Sequence, residues 1–415
     1  MSASSWSRVT ASLRTGDWAT PERLRVYPLM LLAMAVAAVV GVLALSEGRH
    51  GPDHRPLGTD FSQVWVAGQE VLAGRPDEPF DLERHIAEQR REFGADSAVY
   101  GWHYPPMFLA PAALLAKLPY LPALLLWQVA TAALYLAAIV ALTRGAGLST
   151  LRLLIAAIAF PAALINLGHG QNGFLTAALL GFGFLWLGRR PALAGLAFGL
   201  LAYKPQFAIA LPLALLAGMR WRTIAAAGAT ALATMAASLA AFGAESWRAF
   251  FASLGVTRSY VLEQGATGFE KIQSVFAAVR LMGGDIPTAY GFQTLTTLAV
   301  LASLWVLWRS GADARVKAAG AICATLLSTP YALDYDLMAL APALALLLVH
   351  GLDKGFRPYE KTLLAAVYVI PLLARPVAGA VPVPLGVLAQ LLLFAAIMAY
   401  ALPFLRSNPL APASA

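Results

Sequence analysis

The chain has 415 residues, 59% of them hydrophobic and 13% charged, with a formal net charge of +8 and a mean hydropathy of +0.66. Soluble chains carry about 25% charged residues, so this composition excludes a set of soluble domains whatever the length suggests. The Lys and Arg residues fall between apolar runs and form no basic, aromatic-interleaved surface, which excludes a nucleic-acid partner and makes the lipid bilayer the first partner to consider.

A hydrocarbon core about 30 Å thick takes roughly 20 apolar residues per helix. In chain order, residues 1–25 are polar and basic and read as a cytoplasmic N-terminal segment. The first span, 26–46, is longer than the apolar core of a signal peptide and reads as a retained signal anchor. Loop 47–103 then holds half of the 22 acidic residues. Within it, Asp60–Gly74 and Asp81–Phe93 read as amphipathic helices. In the first, Phe61, Val64, Trp65, Gly68, Val71 and Leu72 make one stripe. Such helices lie along a membrane surface or cover a cavity. Segment 104–118 is apolar but broken by Pro105, Pro106 and Pro111, as a half-helix, a re-entrant piece or an outer extension of the next span would be.

Candidate spans 121–142, 151–167, 171–187, 191–203, 205–218 and 223–242 follow. A second long loop, 243–287, precedes spans 288–308, 315–331, 336–350, 361–375 and 383–404. The expected fold is an all-α polytopic bundle of roughly ten to twelve transmembrane helices. It forms a single domain over 26–404, with 405–415 a cytoplasmic tail that is unstructured from Ser407 onward. Cys323, the only cysteine, lies in an apolar run. It excludes an intramolecular disulfide and reads as a small core residue.

Basic residues orient the bundle. With the N-terminus inside, the turns carrying Arg144 and Arg152, Arg189 and Arg190, Arg220 and Arg222, and Arg309, Arg315 and Lys317 all face the cytoplasm, and so does the turn with Lys354, Arg357 and Lys361. Both long loops then face outward. So do five polar clusters: Gly58–Asp60, Trp102–Pro106, Gly168–Asn172, Tyr203–Gln206 and Thr329–Asp336. The inner turns are short and plain, so a site assembled from several loops on the outer face is expected.

Each cluster has a structural reading beside a functional one. Asp60 can cap the helix it opens, or act as a general base at the membrane surface. Lys204, beside the helix-breaking Pro205, can anchor a span or bind an anionic group such as a phosphate. Gln171 and Asn172, after His169, can cap a helix or hydrogen-bond a sugar or phosphate. Trp102, Tyr104 and Tyr331 suit an interfacial aromatic belt or a sugar platform. His103 has no metal-ligand spacing around it. Of Asp334 and Asp336, one is expected to cap the following span. Arg258, Lys271 and Arg280 in the second loop are solvated, or bind phosphate or surface lipid. With no Walker loop and no dinucleotide fingerprint, a nucleotide-dependent reaction is not indicated.

The order of these motifs resembles glycosyltransferase family 87, polytopic enzymes of the GT-C class. The motifs are Gly-Thr-Asp-Phe-x-x-x-Trp-x-Ala-Gly at 58–68, Leu-x-Gly-Arg-Pro at 72–76, Tyr-Pro-Pro at 104–106, Gly-Gln-Asn at 170–172, Lys-Pro-Gln at 204–206 and Thr-Pro-Tyr-Ala-x-x-Tyr-Asp at 329–336. The resemblance runs over about residues 26–400. It implies a polyprenyl-phosphate sugar as donor, typically of mannose, and no separate cofactor. It also implies a glycolipid or glycan acceptor, and inverting transfer on the outer face of the cytoplasmic membrane. It puts the general base on Asp60. The substrate-binding set would be Lys204, Gln171, Asn172, His169, His103, Tyr104, Tyr331, Asp334, Tyr335 and Arg258. In the family the late motif often has Ser-Trp and His, where this chain has Tyr331, Asp334 and Tyr335. The competing reading is a transporter or flippase of a polar or lipid-linked solute, which needs a matching inner cavity.

Overall fold

The computed structural model describes residues 3–207 and 209–407. Residues 408–415, most of the stretch read as an unstructured tail, lie outside the described residues. The fold is all-α, with no strand among the described residues.

An N-terminal helix α1 (Ala3–Thr15) precedes the first long apolar helix, α2 (Pro21–Ala44), which starts on a Thr20 cap and buries none of its residues in the protein. The first loop contributes α3 (Phe61–Leu72) and α4 (Leu82–Phe93), and Pro106–Phe108 leads into the short α5 (Leu109–Leu115). Next come α6 (Tyr120–Leu142), α7 (Thr150–Ile158), α8 (Pro161–His169), α9 (Gly173–Trp186), α10 (Pro191–Leu200) and α11 (Ala210–Ala217). The long α12 (Trp221–Thr257) is followed by α13 (Val275–Leu281), α14 (Ile286–Arg309), α15 (Ala314–Leu327) and α16 (Leu340–Lys354). The chain ends in α17 (Glu360–Ala380), α18 (Leu385–Met398) and α19 (Leu402–Ser407).

Seven helices are long and apolar enough to cross a membrane, or eight if the pair α7–α8, bent by 55°, is one broken span. Four shorter apolar segments, Pro106–Leu115, Gly173–Trp186, Pro191–Tyr203 and Pro205–Ala217, complete the apolar helices among the described residues. The chain is therefore a multi-pass membrane protein. The roughly twenty-residue rule counts the shorter segments as spans only if a neighbour completes their passage.

Packing among these helices follows small residues. Gly195 and Gly199, one turn apart on α10, sit against the Thr223 and Ala227 backbone of α12, where any added Cβ would collide. Small residues at that spacing let helices approach closely where no hydrophobic effect drives them together. Cys323 is fully buried on α15, as its apolar surroundings require.

The N-terminal segment shares one face with the turn before α17. Trp18 Nε1 donates to Thr362 Oγ1 at 2.7 Å, and the Tyr359 N–H donates to Arg14 O at 2.8 Å. These two stretches carry basic residues in both cases, as one common face of the bundle requires.

One sequence expectation is corrected. Helix α3 does not lie on a surface: Phe61–Gly68 and Glu70 are all buried, against α5 and α6. Protein covers Phe61, Val64, Trp65 and Gly68 of its stripe, and Leu72 at its end is exposed. Glu70 also meets His85 of α4 at 2.9 Å, both side chains fully buried, so a polar pair locks the two first-loop helices together. The apolar helix that opens α12 breaks at Gly243 (φ 76°, ψ 168°), a conformation that glycine adopts without strain, and the first part of the stretch 243–287 is helical as far as Thr257.

Candidate active site

The end of α8, the start of α9, the start of α3, the second loop and the turn before α16 meet around Asp60. Their approach is set locally. Gly170 closes α8 in the left-handed conformation (φ 63°), and its missing side chain lets it lie against Gly58 O and Phe61. Gln128 of α6 donates to Leu167 O at 3.1 Å, and the Gly173 N–H donates to Asn166 Oδ1 at 2.7 Å. Asn166, not Asn172, therefore receives the first free N–H of α9. The capping reading of Asn172 fails. Its side chain is buried, and Oδ1 has no hydrogen-bond partner among the described residues.

The capping reading of Asp60 fails as well. Its carboxylate makes no bond to the backbone of α3 and turns instead into the cluster. Gln171 Nε2 donates to Asp60 Oδ2 at 2.8 Å. His169 Nδ1 lies 3.7 Å from Oδ1, and Lys271 Nζ lies 3.8 Å from Oδ2. His169 Nδ1 is also hydrogen-bonded to Thr59 Oγ1 at 2.7 Å.

The Gln171 amide has one workable orientation. Its Oε1 accepts from Tyr104 OH at 2.9 Å and from the Asn172 N–H at 3.3 Å, which leaves Nε2 to face the carboxylate. Burial pushes the Tyr104 phenol well above its ordinary value, so it remains a donor. Burial by itself would raise the Asp60 carboxyl. Lys271, then His169, the Gln171 hydrogen bond and His103 outweigh that cost, and Asp60 stays below its ordinary value. Burial pushes His103 down to about 4, so it carries no charge at neutral pH. Its Nδ1 is hydrogen-bonded to Thr257 Oγ1 at 3.0 Å, and its ring stands edge-on to Tyr331.

Lys204 is buried between the rings of Phe207 and Tyr335 and is bonded to Asp336. Its charge is answered inside the protein, and it is not the cation nearest the candidate base. Asp336 also accepts from the Leu333 N–H at 2.9 Å, so it is the carboxylate that closes the turn before α16. Asp334 lies 3.7 Å from Arg375 of α17. Tyr335 stands at the centre, edge-on to His169, with Lys204 and Lys271 at 5.4 and 5.7 Å from its ring centroid.

Lys271 reaches this cluster because the second loop is pinned to the late motif. The Asp334 N–H donates to Lys271 O at 3.0 Å, and the Gln273 N–H donates to Ala332 O at 2.7 Å. Arg258 stands apart, 66% exposed and paired with Glu263 at 3.3 Å, and Arg280 is spent on the carbonyls of Gly284 and Glu263. Trp102 and Tyr104 are buried against each other and Phe108, so neither belongs to an interfacial belt.

The structure thus brings together Asp60, His103, Tyr104, His169, Gln171, Asn172, Lys204, Tyr331, Asp334 and Tyr335, and leaves out Arg258. It adds Lys271, Asp336 and Arg375. Among the described residues, no group of three or more His, Cys, Asp or Glu is placed to hold a metal. An apolar groove of about 510 Å³ between α14 and α18 includes none of the cluster. The arrangement is a buried, ionised carboxylate with one oriented amide donor and one ammonium beside it. Such a group can accept a proton from a hydroxyl brought to it, next to a cation that can answer a developing negative charge.

Residues 102–330 match the family described as Glycosyltransferase family 87. The matched stretch includes Tyr104, Gln171, Lys204 and Lys271, while Asp60 precedes it and Asp334 follows it. No curated protein and no solved structure matches the chain.

Proposed function

The chain belongs to glycosyltransferase family 87, and on that premise we propose that it moves a hexose, mannose foremost, from a polyprenyl-phosphate donor to a hydroxyl of a lipid- or glycan-linked acceptor. It is a membrane glycosyltransferase. The proposed site lies on the outer face of the cytoplasmic membrane, with the N-terminus inside. The observation that carries this reading is the Asp60 carboxylate, buried, bonded to Gln171 and 3.8 Å from Lys271, where five distant polar segments converge.

In this reaction the acceptor oxygen attacks the anomeric carbon from the face opposite the phosphate, so the configuration inverts. Asp60 takes the acceptor proton as the new bond forms. General-base assistance of this kind contributes about 10² to 10⁴ in rate. Gln171, fixed by Tyr104, holds the carboxylate in place, and a carboxylate that starts ionised needs no prior deprotonation. The leaving group is a phosphate on a lipid, which departs with the electron pair of the broken bond. It needs cationic stabilisation and no nucleotide. The unpartnered Asn172 Oδ1 supports a role as acceptor for a sugar hydroxyl.

Membranes carrying the protein, supplied in turn with polyprenyl-phosphate mannose and polyprenyl-phosphate glucose, test the donor assignment. Transfer from the mannosyl donor, with an inverted linkage by NMR, is the expected result. Transfer from the glucosyl donor alone would change the sugar, and retention of configuration would remove the single-displacement mechanism.

A further inference from the structure

Lys271 is buried, its side chain 9% exposed, yet its ammonium donates no hydrogen bond to any described residue. Its nearest anion, Asp60 Oδ2, is 3.8 Å away, too far for a bond, and that oxygen already accepts from Gln171. The other lysine of the cluster, Lys204, is fully answered by Asp336. An ammonium has three donors, and those of Lys271 meet no acceptor among the described residues, which leaves them for a bound group. The clasp between residues 271–273 and 332–334 holds the backbone of Lys271 in place, so its position is not a chance of a long loop.

We infer that Lys271 is a catalytic residue, a cation shared between Asp60 at rest and the lipid-linked phosphate during transfer. This rests on the glycosyl-transfer reading above. The acceptor oxygen–anomeric carbon bond forms as the anomeric carbon–phosphate oxygen bond breaks. The electron pair of the broken bond leaves on the phosphate oxygen, and the acceptor proton passes to Asp60. The donor phosphodiester has one negative charge, and the released monoester has about 1.5 to 2 at neutral pH. Asp60 loses its charge in the same step. Lys271 therefore exchanges one counter-ion for another while the net charge around it stays nearly constant. That matters most where burial makes an unbalanced charge expensive. Lys204 cannot do this, because its partner Asp336 takes no proton from the acceptor.

The test is binding of farnesyl phosphate, with farnesol as the uncharged control, to the detergent-solubilised full-length protein. Wild type is expected to prefer the phosphate by about tenfold or more, Lys271→Met to lose most of that preference, and Lys271→Arg to keep it. Asp60→Asn is expected to tighten farnesyl phosphate binding, because the ammonium loses its resting partner, and the gain should vanish in Asp60→Asn/Lys271→Met. A residue that merely supports the fold would not produce that tightening. Preference retained in Lys271→Met would remove Lys271 and leave the donor reading intact. No preference in wild type would overturn both. Competition by inorganic phosphate at equal concentration would overturn the assignment to a lipid-linked phosphate.

Discussion

Gln171 Nε2 donates to Asp60 Oδ2 at 2.8 Å, joining residues 111 positions apart. Tyr104 and the Asn172 N–H fix the other end of that amide, so its polarity toward Asp60 is not free to reverse. A donor at this position favours the ionised carboxylate, and an acceptor there would oppose it.

That relationship sets the pH dependence. Asp60 acts when ionised and is held below its ordinary value, so kcat/KM should stay level as pH falls through the usual carboxylate range, near pH 4, and drop only below it. Gln171→Glu puts a second carboxylate against Asp60 and should move the acidic limb upward by about one unit or more. Gln171→Leu, which removes a donor and adds no charge, should move it less. Profiles of kcat/KM from acid to neutral pH decide this, and superimposable limbs in wild type and Gln171→Glu would detach Gln171 from Asp60.

The Lys204–Asp336 pair makes a different prediction, on stability. Both side chains are almost wholly buried. Removing one partner of such a pair costs about 3–5 kcal/mol, because the other charge remains in a poor environment. Asp336→Asn and Lys204→Met should each lower the thermal midpoint in detergent strongly, and the double variant should recover much of the loss. Additive losses would show that the two groups are not coupled.

Helix α3 carries Asp60, and Gly68 sets its distance from α5. A Cβ at Gly68 would run into the carbonyl of Ala112 and the side chain of Ala116. Gly68→Ala should destabilise the protein by about 1–3 kcal/mol through overpacking. Activity per folded molecule should fall too, since α3 can relieve the clash only by moving Asp60. Unchanged thermal midpoint and turnover would mean that α5 yields freely.

The sequence made the membrane fold and the convergence of five clusters legible for one reason. Apolar runs and basic turns fix which ends of the helices share a face, and the polar motifs lay at one set of ends. Contacts within that face were not legible. Asp60 opens a helix, as a capping residue does, and only the tertiary approach of Gly170 to Gly58 shows why its carboxylate turns away. The stripe on α3 reads the same whether lipid or protein covers it. Lys204 stood out by its Pro-flanked position, but its neutralisation depends on Asp336, 132 positions away. Lys271 was one of several loop cations until its backbone pairing with 332–334 singled it out. Arg375 sits at the margin of an apolar run, where an anchoring role is the plainer expectation.

The most direct measurement is transfer of labelled sugar from a polyprenyl-phosphate donor in membranes carrying wild type or Asp60→Asn at equal folded amounts. Labelled product from wild type, reduced by about 10² or more in Asp60→Asn, is the predicted result. Equal labelling by the two proteins would contradict the assignment of Asp60 as the base.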